Sequence, residues 1–276
     1  MQTGKFWLLA LCCAASVAQA APLLKLSALP DEGASEQQRR YAPLVHYLSA
    51  ELKQKVQFVT LPDYSSVAEA LGRGKLDLAW LGGFSYVQAR QLGEVRPIAQ
   101  REEDPNHTSV FIVHEDSHAH QLKDLRGKSF AFGAQTSAAG HLMPRWFLQR
   151  DGLRPETDFR RLRYSGSHEV TALWVATGKV EAGVLGSAGW QRLVDSDKLD
   201  LSEVRVLATT PAYSEFNWSV RPRMSHALRQ KLTQALLKLD PRQPAHREVL
   251  TALGAPKLIA AQPEQFAALE QAARSA

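Results

Sequence analysis

Apolar residues along the chain follow two alternating patterns. Short apolar runs are typical of strands buried on both faces, and apolar residues that recur every three or four positions are typical of amphipathic helices. From residue 23 to residue 92 the two patterns alternate regularly, starting with a strand. The predicted elements are strand 23–29, helix 35–53, strand 56–61, helix 65–73, strand 76–81 and helix 84–92. Strands separated by single helices favour a parallel sheet covered by helices on both faces.

A second alternating series begins at residue 98. Its predicted strands are 98–101, 110–113, 129–132, 159–164, 182–185 and 204–209, with helices at 138–150, 168–177 and 188–195. After a short run at 217–220, only helical patterns remain, at 226–239, 246–253 and 263–273. We therefore expect two α/β lobes and a helical tail. Because no linker rich in Pro, Gly or Ser separates the lobes, we expect them to share more than one chain crossing.

The first 20 residues have the pattern of a cleavable secretory signal. Lys5 precedes an apolar run from Phe6 to Val17, and the small-residue ending Ala18-Gln19-Ala20 follows it. The run is too short to span a bilayer. We expect cleavage after Ala20 and a periplasmic location. The alternative is lipid attachment at Cys12, which the bulky leucine before that cysteine disfavours.

Removal of the signal changes which chemistry is open to the protein. Both cysteines of the 276-residue chain lie within the signal, so the expected mature chain has no disulfide, thiolate nucleophile or cysteine metal ligand. The 33 Lys and Arg residues are spread among 28 Asp and Glu residues, which argues against nucleic-acid binding. The histidines lack metal-ligand spacing, and no nucleotide-binding fingerprint occurs, so we expect no metal and no cofactor.

Four turns between a predicted strand and the following helix are rich in glycine and hydroxyl residues. They are Pro62–Ser66, Leu81–Tyr86, Gly133–Gly140 and Tyr164–His168. Turns at the carboxyl ends of parallel strands converge on one cleft, and helix starts with unpaired N–H groups suit a small oxyanion. None of these turns contains Lys or Arg. The alternative is that the hydroxyls only cap their helices.

With these residues identified, the mature chain resembles the phosphonate/phosphite-type substrate-binding proteins of ABC transporters. This family is a branch of the two-lobed type II periplasmic binding fold, and the likeness is greatest to members described as selenate-transporter receptors. The segments that carry the resemblance are Ala28–Glu32, Gly74–Tyr86, Leu122–Gly133, Tyr164–His168 and Gly178–Val184.

The resemblance implies two α/β lobes, each a mostly parallel sheet flanked by helices, hinged by two crossing segments. Residues 21–108 and 212–276 form the expected first lobe, and residues 109–211 form the second. The implied function is capture of a small oxyanion, such as phosphonate, phosphite or selenate, between the lobes. The implied partner is an ABC transporter permease, and the protein is expected to be a monomer without enzymatic activity.

The resemblance also implies ligand contacts. The tyrosines of the family match Tyr64 and Tyr86, and its histidine matches His168. Its hydroxyl-rich helix start, typically Ser-Thr-Ser-Gly, falls on Ser137-Ala138-Ala139-Gly140, so two hydroxyls are replaced by methyl groups. The expected ligand-binding residues are Tyr64, Ser85, Tyr86, Gln135, Thr136, Ser137, Ala138, Ala139 and His168. The candidate residues of the pocket wall are Glu32, Ser187, Trp190 and Trp218.

Two other functions remain open at this point. The same fold can serve as a sensory module that presents its ligand to a membrane receptor kinase. It can also carry an enzyme, such as a cofactor-dependent transferase. The expected mature chain lacks a cysteine and any paired acid–base signature, which argues against the enzyme.

Overall fold

The computed structural model describes residues 22–196 and 202–275, so the predicted signal at 1–20 lies outside the described residues. In this part of the chain the strands form two sheets. The first sheet has the order β11-β4-β10-β3-β1-β2, and the second has the order β7-β6-β8-β5-β9. Helices flank both sheets, which confirms the predicted two-sheet α/β fold.

The elements are bounded as follows. The first-sheet strands are Leu24–Ala28 (β1), Val56–Phe58 (β2), Leu78–Leu81 (β3), Arg96–Arg101 (β4), Asn217–Val220 (β10) and Leu258–Ala260 (β11). The second-sheet strands are Ser109–His114 (β5), Ser129–Phe132 (β6), Arg161–Tyr164 (β7), Ala182–Gly186 (β8) and Val204–Thr209 (β9). The helices are Ala34–Leu52 (α1), Tyr64–Gly72 (α2), Gly83–Leu92 (α3), Met143–Arg150 (α4), Pro155–Asp158 (α5), His168–Ala176 (α6), Ser187–Ser196 (α7), His226–Leu237 (α8), Pro244–Leu253 (α9) and Ala267–Ser275 (α10).

Most strands in each sheet run in the same direction, as the sequence predicts, and β5, β10 and β11 run against the others. β1 is parallel to β2 and β3, and β6 is parallel to β7 and β8, but β10 and β5 are antiparallel to their neighbours. The reason is the route of the chain. After β4 and after β9 the chain passes to the other sheet, and it enters that sheet running in the opposite direction to the strands that precede helices.

The two passages between the sheets lie side by side. Residues 102–108 lead from β4 to β5, and residues 210–216 lead from β9 back to β10. An isolated antiparallel bridge joins His107 of the first passage to Tyr213 of the second. We call these passages the first and second crossing segments.

Apolar burial explains most of the element positions. The predicted helix 35–53 is α1, and its buried Tyr41, Leu44 and Leu48 recur at three- and four-residue spacing, as required for one helical face against a sheet. Tyr41 stacks on Phe58 of β2 with ring centroids 4.7 Å apart. In the part of the chain that the structure describes, no helix is long and apolar enough to cross a membrane.

One apolar seam connects elements on the two sides. Leu142 and Met143, at the start of α4, belong to the same buried cluster as Phe266, Leu269 and Ala272 of the C-terminal segment. α10 therefore packs against both α3, which follows a first-sheet strand, and α4, which follows a second-sheet strand.

Candidate ligand-binding cleft

A cavity of about 810 Å³ lies between the two sheets. Its walls come from helix starts on both sides and from both crossing segments. The residues that line it are Leu29, Asp31, Tyr64, Gly82, Gly83, Phe84, Ser85, Arg101, Glu103, Asp104, Asn106, His107, Ala134, Thr136, Ser137, Ala138, Ala139, His168, Gly186, Ser187, Ala188, Gly189, Gln191, Arg192, Glu215 and Phe216.

Helix starts dominate this lining. Within the described residues, and apart from the three-residue 3₁₀ turn Asp104–Asn106, five helical segments begin with a residue that lines the cavity: Tyr64, Gly83, Ala138, His168 and Ser187. The first turn of a helix has free N–H groups and carries the positive end of the helix dipole. Their convergence makes the cavity suited to a negatively charged ligand of small size.

The segment after β6 opens with a π-helical turn, Ala138–Leu142, that continues directly into α4. The Gly140 N–H donates to Ser137 Oγ at 2.9 Å, so Ser137 caps this helix while its side chain also lines the cavity. The capping bond uses an oxygen lone pair and leaves the hydroxyl proton free. Ser137 can therefore cap the helix and contact a ligand at the same time, so the two alternatives that the sequence left open do not exclude each other.

The start of α3 presents uncapped backbone. Its N-cap, Gly82, has no side chain to accept a hydrogen bond from the first turn. The Tyr86 N–H donates to the Gly82 carbonyl as the first intrahelical bond, which leaves the N–H groups of the preceding turn to other partners. Both Gly83 and Ser85 line the cavity here.

His168 is held tightly at the start of α6. A Cβ on Gly189 would lie 2.6 Å from the His168 ring, so only glycine allows this imidazole its position. Burial lowers the pKa of His168, and nearby Arg192 lowers it further, although Glu215 acts in the opposite direction. Its Nδ1 is buried and has no hydrogen-bond partner among the described residues. The side chain is thus positioned to interact with a ligand in the cleft.

The opposite wall carries acids and aromatic rings. Arg101 binds Asp104 with an Nη2–Oδ1 distance of 2.7 Å, and its guanidinium lies over the rings of Trp80 and Phe216. Burial raises the pKa of Asp104 despite this partner. The Tyr64 hydroxyl donates to Asp31, and burial together with this carboxylate raises the pKa of Tyr64. Tyr64 is therefore a neutral hydroxyl at ordinary pH.

Most predicted site residues meet at this cavity. The structure brings together Tyr64, Ser85, Thr136, Ser137, Ala138, Ala139, His168 and the predicted wall residue Ser187.

Five predicted residues do not line the cavity. Tyr86 is fully buried and packs on Phe266, because it follows Ser85 by one residue and points about 100° away around α3. Gln135 is exposed, and Trp190 packs against the apolar cluster under α6. Trp218 lies in the first-sheet core, and Glu32 lies beside it in a separate small pocket of about 150 Å³.

Sequence patterns did not single out several residues of the lining. Arg101, His107 and Glu215 lie in or next to the crossing segments, and Arg192 lies one turn into α7. The turn pattern covers only strand-to-helix connections, so it has no signal for residues where the chain changes sheet. The four turns contain no Lys or Arg, and the two guanidinium groups of the cavity lining, Arg101 and Arg192, come from outside them.

The match to a known protein family covers nearly all of this architecture, without α10. Residues 26–266 match the model of the family of periplasmic substrate-binding proteins of phosphonate ABC transporters. The chain belongs to this family. The resemblance given by the sequence motifs is confirmed, and so is the function of a substrate-binding component of an ABC transporter, which is not an enzyme. Membership also places this phosphonate-binding family protein in the periplasm.

Two relatives of this phosphonate-binding family protein match most of its length. The probable phosphite-binding protein PhnD1 of Prochlorococcus marinus is 29% identical over 264 residues, which cover 91% of this chain and 89% of the relative. The phosphonates-binding periplasmic protein of Escherichia coli is 26% identical and covers 78% of this chain and 65% of its own.

Solved structures show the same fold. PhnD1 of Prochlorococcus marinus in complex with methylphosphonate has a TM-score of 0.72 at 28% identity and covers 92% of this chain and 97% of its own. XAC2383 of Xanthomonas citri, solved bound to ATP, has a TM-score of 0.77 at 20% identity and covers 92% of this chain and 98% of its own. The second likeness concerns the fold alone.

Proposed function

We propose that this chain captures a small phosphorus oxyanion, phosphite or a simple phosphonate, in the cleft between its sheets and delivers it to a membrane permease. The observation that carries this proposal is the convergence of five helix starts on one cavity within the described residues. A tetrahedral oxyanion offers several oxygens in different directions, which matches donors that arrive from several helices.

The proposed contacts follow from the lining. Backbone N–H groups at the starts of α3, α7 and the Ala138–Leu142 turn act with the hydroxyls of Ser85, Thr136 and Ser187. His168 adds a ring nitrogen from α6. Arg192 adds a full positive charge on the same side as His168.

The two alanines at the helix start fit this assignment without hydroxyls. Ala138 and Ala139 are both 3% exposed, and the Ala139 carbonyl accepts a hydrogen bond of 2.8 Å from Ser109 Oγ. Loss of two neutral hydrogen bonds weakens binding by roughly 1 kcal/mol each where the hydroxyls would have met the ligand. We propose that the positive charge of Arg192 and a hydrogen bond from the His168 ring offset that loss.

The choice of phosphorus oxyanions over selenate rests on the relatives. PhnD1, a probable phosphite-binding protein that was solved in complex with methylphosphonate, matches nearly the whole chain. Selenate, which the sequence resemblance also implies, stays a prediction, and the proposed ligand is a phosphorus oxyanion.

We further propose that residues 1–20 direct export and are removed after Ala20, and that the mature protein acts as a monomer. The intact mass of protein recovered from the periplasm checks the cleavage position. Sedimentation or light scattering of the same sample checks the monomer.

The ligand is tested by calorimetry and thermal unfolding with phosphite, methylphosphonate, phosphate, selenate and sulfate. We expect phosphite or methylphosphonate to bind, and a ligand at 100 times its dissociation constant to stabilise the folded protein by about 2.7 kcal/mol. The absence of heat and of any thermal shift with both phosphorus ligands at millimolar concentration would refute the ligand class.

One observation favours the sensory alternative. The tetrathionate sensor kinase TtrS of Salmonella typhimurium is 22% identical over 74% of this chain, although the match spans only 37% of that kinase. A deletion strain separates the two functions. Loss of uptake of the radiolabelled ligand supports transport, whereas normal uptake with an altered transcriptional response supports sensing.

A further inference from the structure

The ionisable groups that line the cavity carry more negative than positive charge. Among the described residues, four carboxylates face two guanidinium groups there, which leaves a formal charge of −2 when the lining histidines are neutral. The groups are Asp31, Glu103, Asp104 and Glu215 against Arg101 and Arg192. An oxyanion that enters this cavity adds further negative charge, so its capture requires a compensating positive charge.

The contacts of Arg101 and Asp31 do not supply the missing positive charge. Arg101 already contacts Asp104 at 2.7 Å and Glu103 at 3.6 Å. Asp31 accepts a hydrogen bond from a neutral tyrosine hydroxyl. Glu215, only 6% exposed, has no Lys or Arg partner within 4.0 Å among the described residues.

The partner of Glu215 is His107. The His107 Nε2 and Glu215 Oε2 atoms lie 2.9 Å apart, with the two side chains 14% and 8% exposed. Both residues line the cavity, and each belongs to a different crossing segment. This pair therefore lies at the point where the two sheets are joined.

His107 also lies close to the expected seat of the anion. A Cβ on Gly186 would lie 3.3 Å from His107 Nε2 and 3.5 Å from His168 Nε2, so the two imidazoles flank the same glycine. The other groups that face His107 are the rings of Tyr213 and Phe216 from the second crossing segment. The charged groups around this cluster are Glu215, Arg101 and Arg192.

We propose that capture of the oxyanion by this chain is coupled to the uptake of one proton at His107, whose imidazolium then neutralises Glu215 beside the bound anion. This inference rests on the proposed function. The proton comes from the solvent and binds a ring nitrogen, and no other bond forms or breaks. Through this proton, His107 makes the affinity for the anion depend on pH.

The direction of the pH effect follows from linkage. The bound anion favours the protonated imidazole, so binding is tighter at low pH and weakens as the pH rises past neutrality, where histidines lose their charge. Uptake of a full proton changes the dissociation constant by about tenfold per pH unit, and a partial uptake changes it proportionally less.

The test is calorimetric titration of the full mature chain with methylphosphonate in several buffers that differ in ionisation enthalpy. The dependence of the observed heat on the buffer gives the number of protons taken up at each pH. The same titrations are made with His107→Gln and with His114→Gln. His114 is the matched control, because its Nε2 lies 3.5 Å from Glu203 Oε2 in a similar pair outside the cavity lining.

We expect the wild type and His114→Gln to take up the same fraction of a proton between pH 7 and 8. His107→Gln retains only the part that comes from ionisation of methylphosphonate itself, which a phosphorus NMR titration of the free ligand supplies. An unchanged uptake in His107→Gln overturns the inference, because the proton then enters with the ligand or binds His168.

The two proposals fail in different ways. If the wild type binds neither methylphosphonate nor phosphite, the proposed function fails and this inference fails with it. If it binds without proton uptake beyond that of the ligand, the inference alone fails. Should His107→Gln not fold, histidine ring NMR of the wild type with and without methylphosphonate gives the same decision, since the inference requires the protonation change in the ring of His107, and a change confined to His168 overturns it.

Discussion

The two walls of the cleft differ in the charges they present. The wall from the second sheet contributes Ala134, Thr136–Ala139, His168, Gly186–Gly189, Gln191 and Arg192, with one guanidinium and no carboxylate among the described lining residues. The opposite wall and the crossing segments contribute the carboxylates of the cavity, together with Phe84 and Phe216. This difference indicates that an anionic head group lies against the second-sheet wall. The carboxylates of this opposite, acidic wall then restrict which other charged groups a ligand can carry.

The largest expected effect on ligand binding by the second-sheet wall comes from a substitution at Gly189. Gly189→Ala places a Cβ 2.6 Å from the His168 ring and forces the imidazole to move. Loss of one hydrogen bond to a charged ligand weakens binding by about 1.5 to 3 kcal/mol, or roughly tenfold to more than a hundredfold. Calorimetry with methylphosphonate measures this loss.

Gly33→Ala is the control, because a Cβ there meets nothing within 4 Å. Alanine also favours the helical position of residue 189 by up to about 1 kcal/mol, so weaker binding without lower thermal stability points to the ring displacement. Full affinity in Gly189→Ala would mean that His168 does not contact the ligand.

Two helix-capping serines differ in whether they line the cleft, so their comparison separates helix capping from ligand binding. Ser137 accepts from the Gly140 N–H and Ser167 accepts from the Val170 N–H, but only Ser137 lines the cavity. Each Ser→Ala change should lower stability by about 1 kcal/mol through loss of the cap. Only Ser137→Ala should also weaken methylphosphonate binding, by about fivefold. Equal affinities of both variants would limit Ser137 to capping.

The acidic wall gives the smallest expected effect. Glu103 is half exposed, and its carboxylate lies 3.6 Å from Arg101. Glu103→Gln removes one like charge from the far side of the cleft, so binding of methylphosphonate should tighten by less than about threefold and the gain should shrink in high salt. Weaker binding in this variant would contradict the division of the cleft into an anion wall and an acidic wall.

The same division explains how far the sequence alone could lead. Strand-to-helix turns carry a local signal, so Ser85, Ser137 and His168 were predictable from glycine and hydroxyl residues at the end of an apolar run. Orientation around a helix was harder to predict, since Ser85 lines the cleft while the adjacent Tyr86 is buried.

His107 and Glu215 could not be predicted in this way. They are far apart in the sequence and meet only because the chain changes sheets twice in the described residues. The antiparallel direction of β5 and β10 has no signal in the sequence for the same reason, since alternation of strands and helices does not show where the chain leaves one sheet for the other.

The seam between α10 and α4 has a practical consequence for the design of a fluorescent sensor. Leu142 and Met143 lie in one apolar cluster with Leu269 and Ala272, so the two sides of the protein are attached along this line as well as through the crossing segments. A dye near α10 should therefore respond weakly to the ligand and can provide the reference signal. A dye near Tyr64, which is 40% exposed at the cleft, should report occupancy.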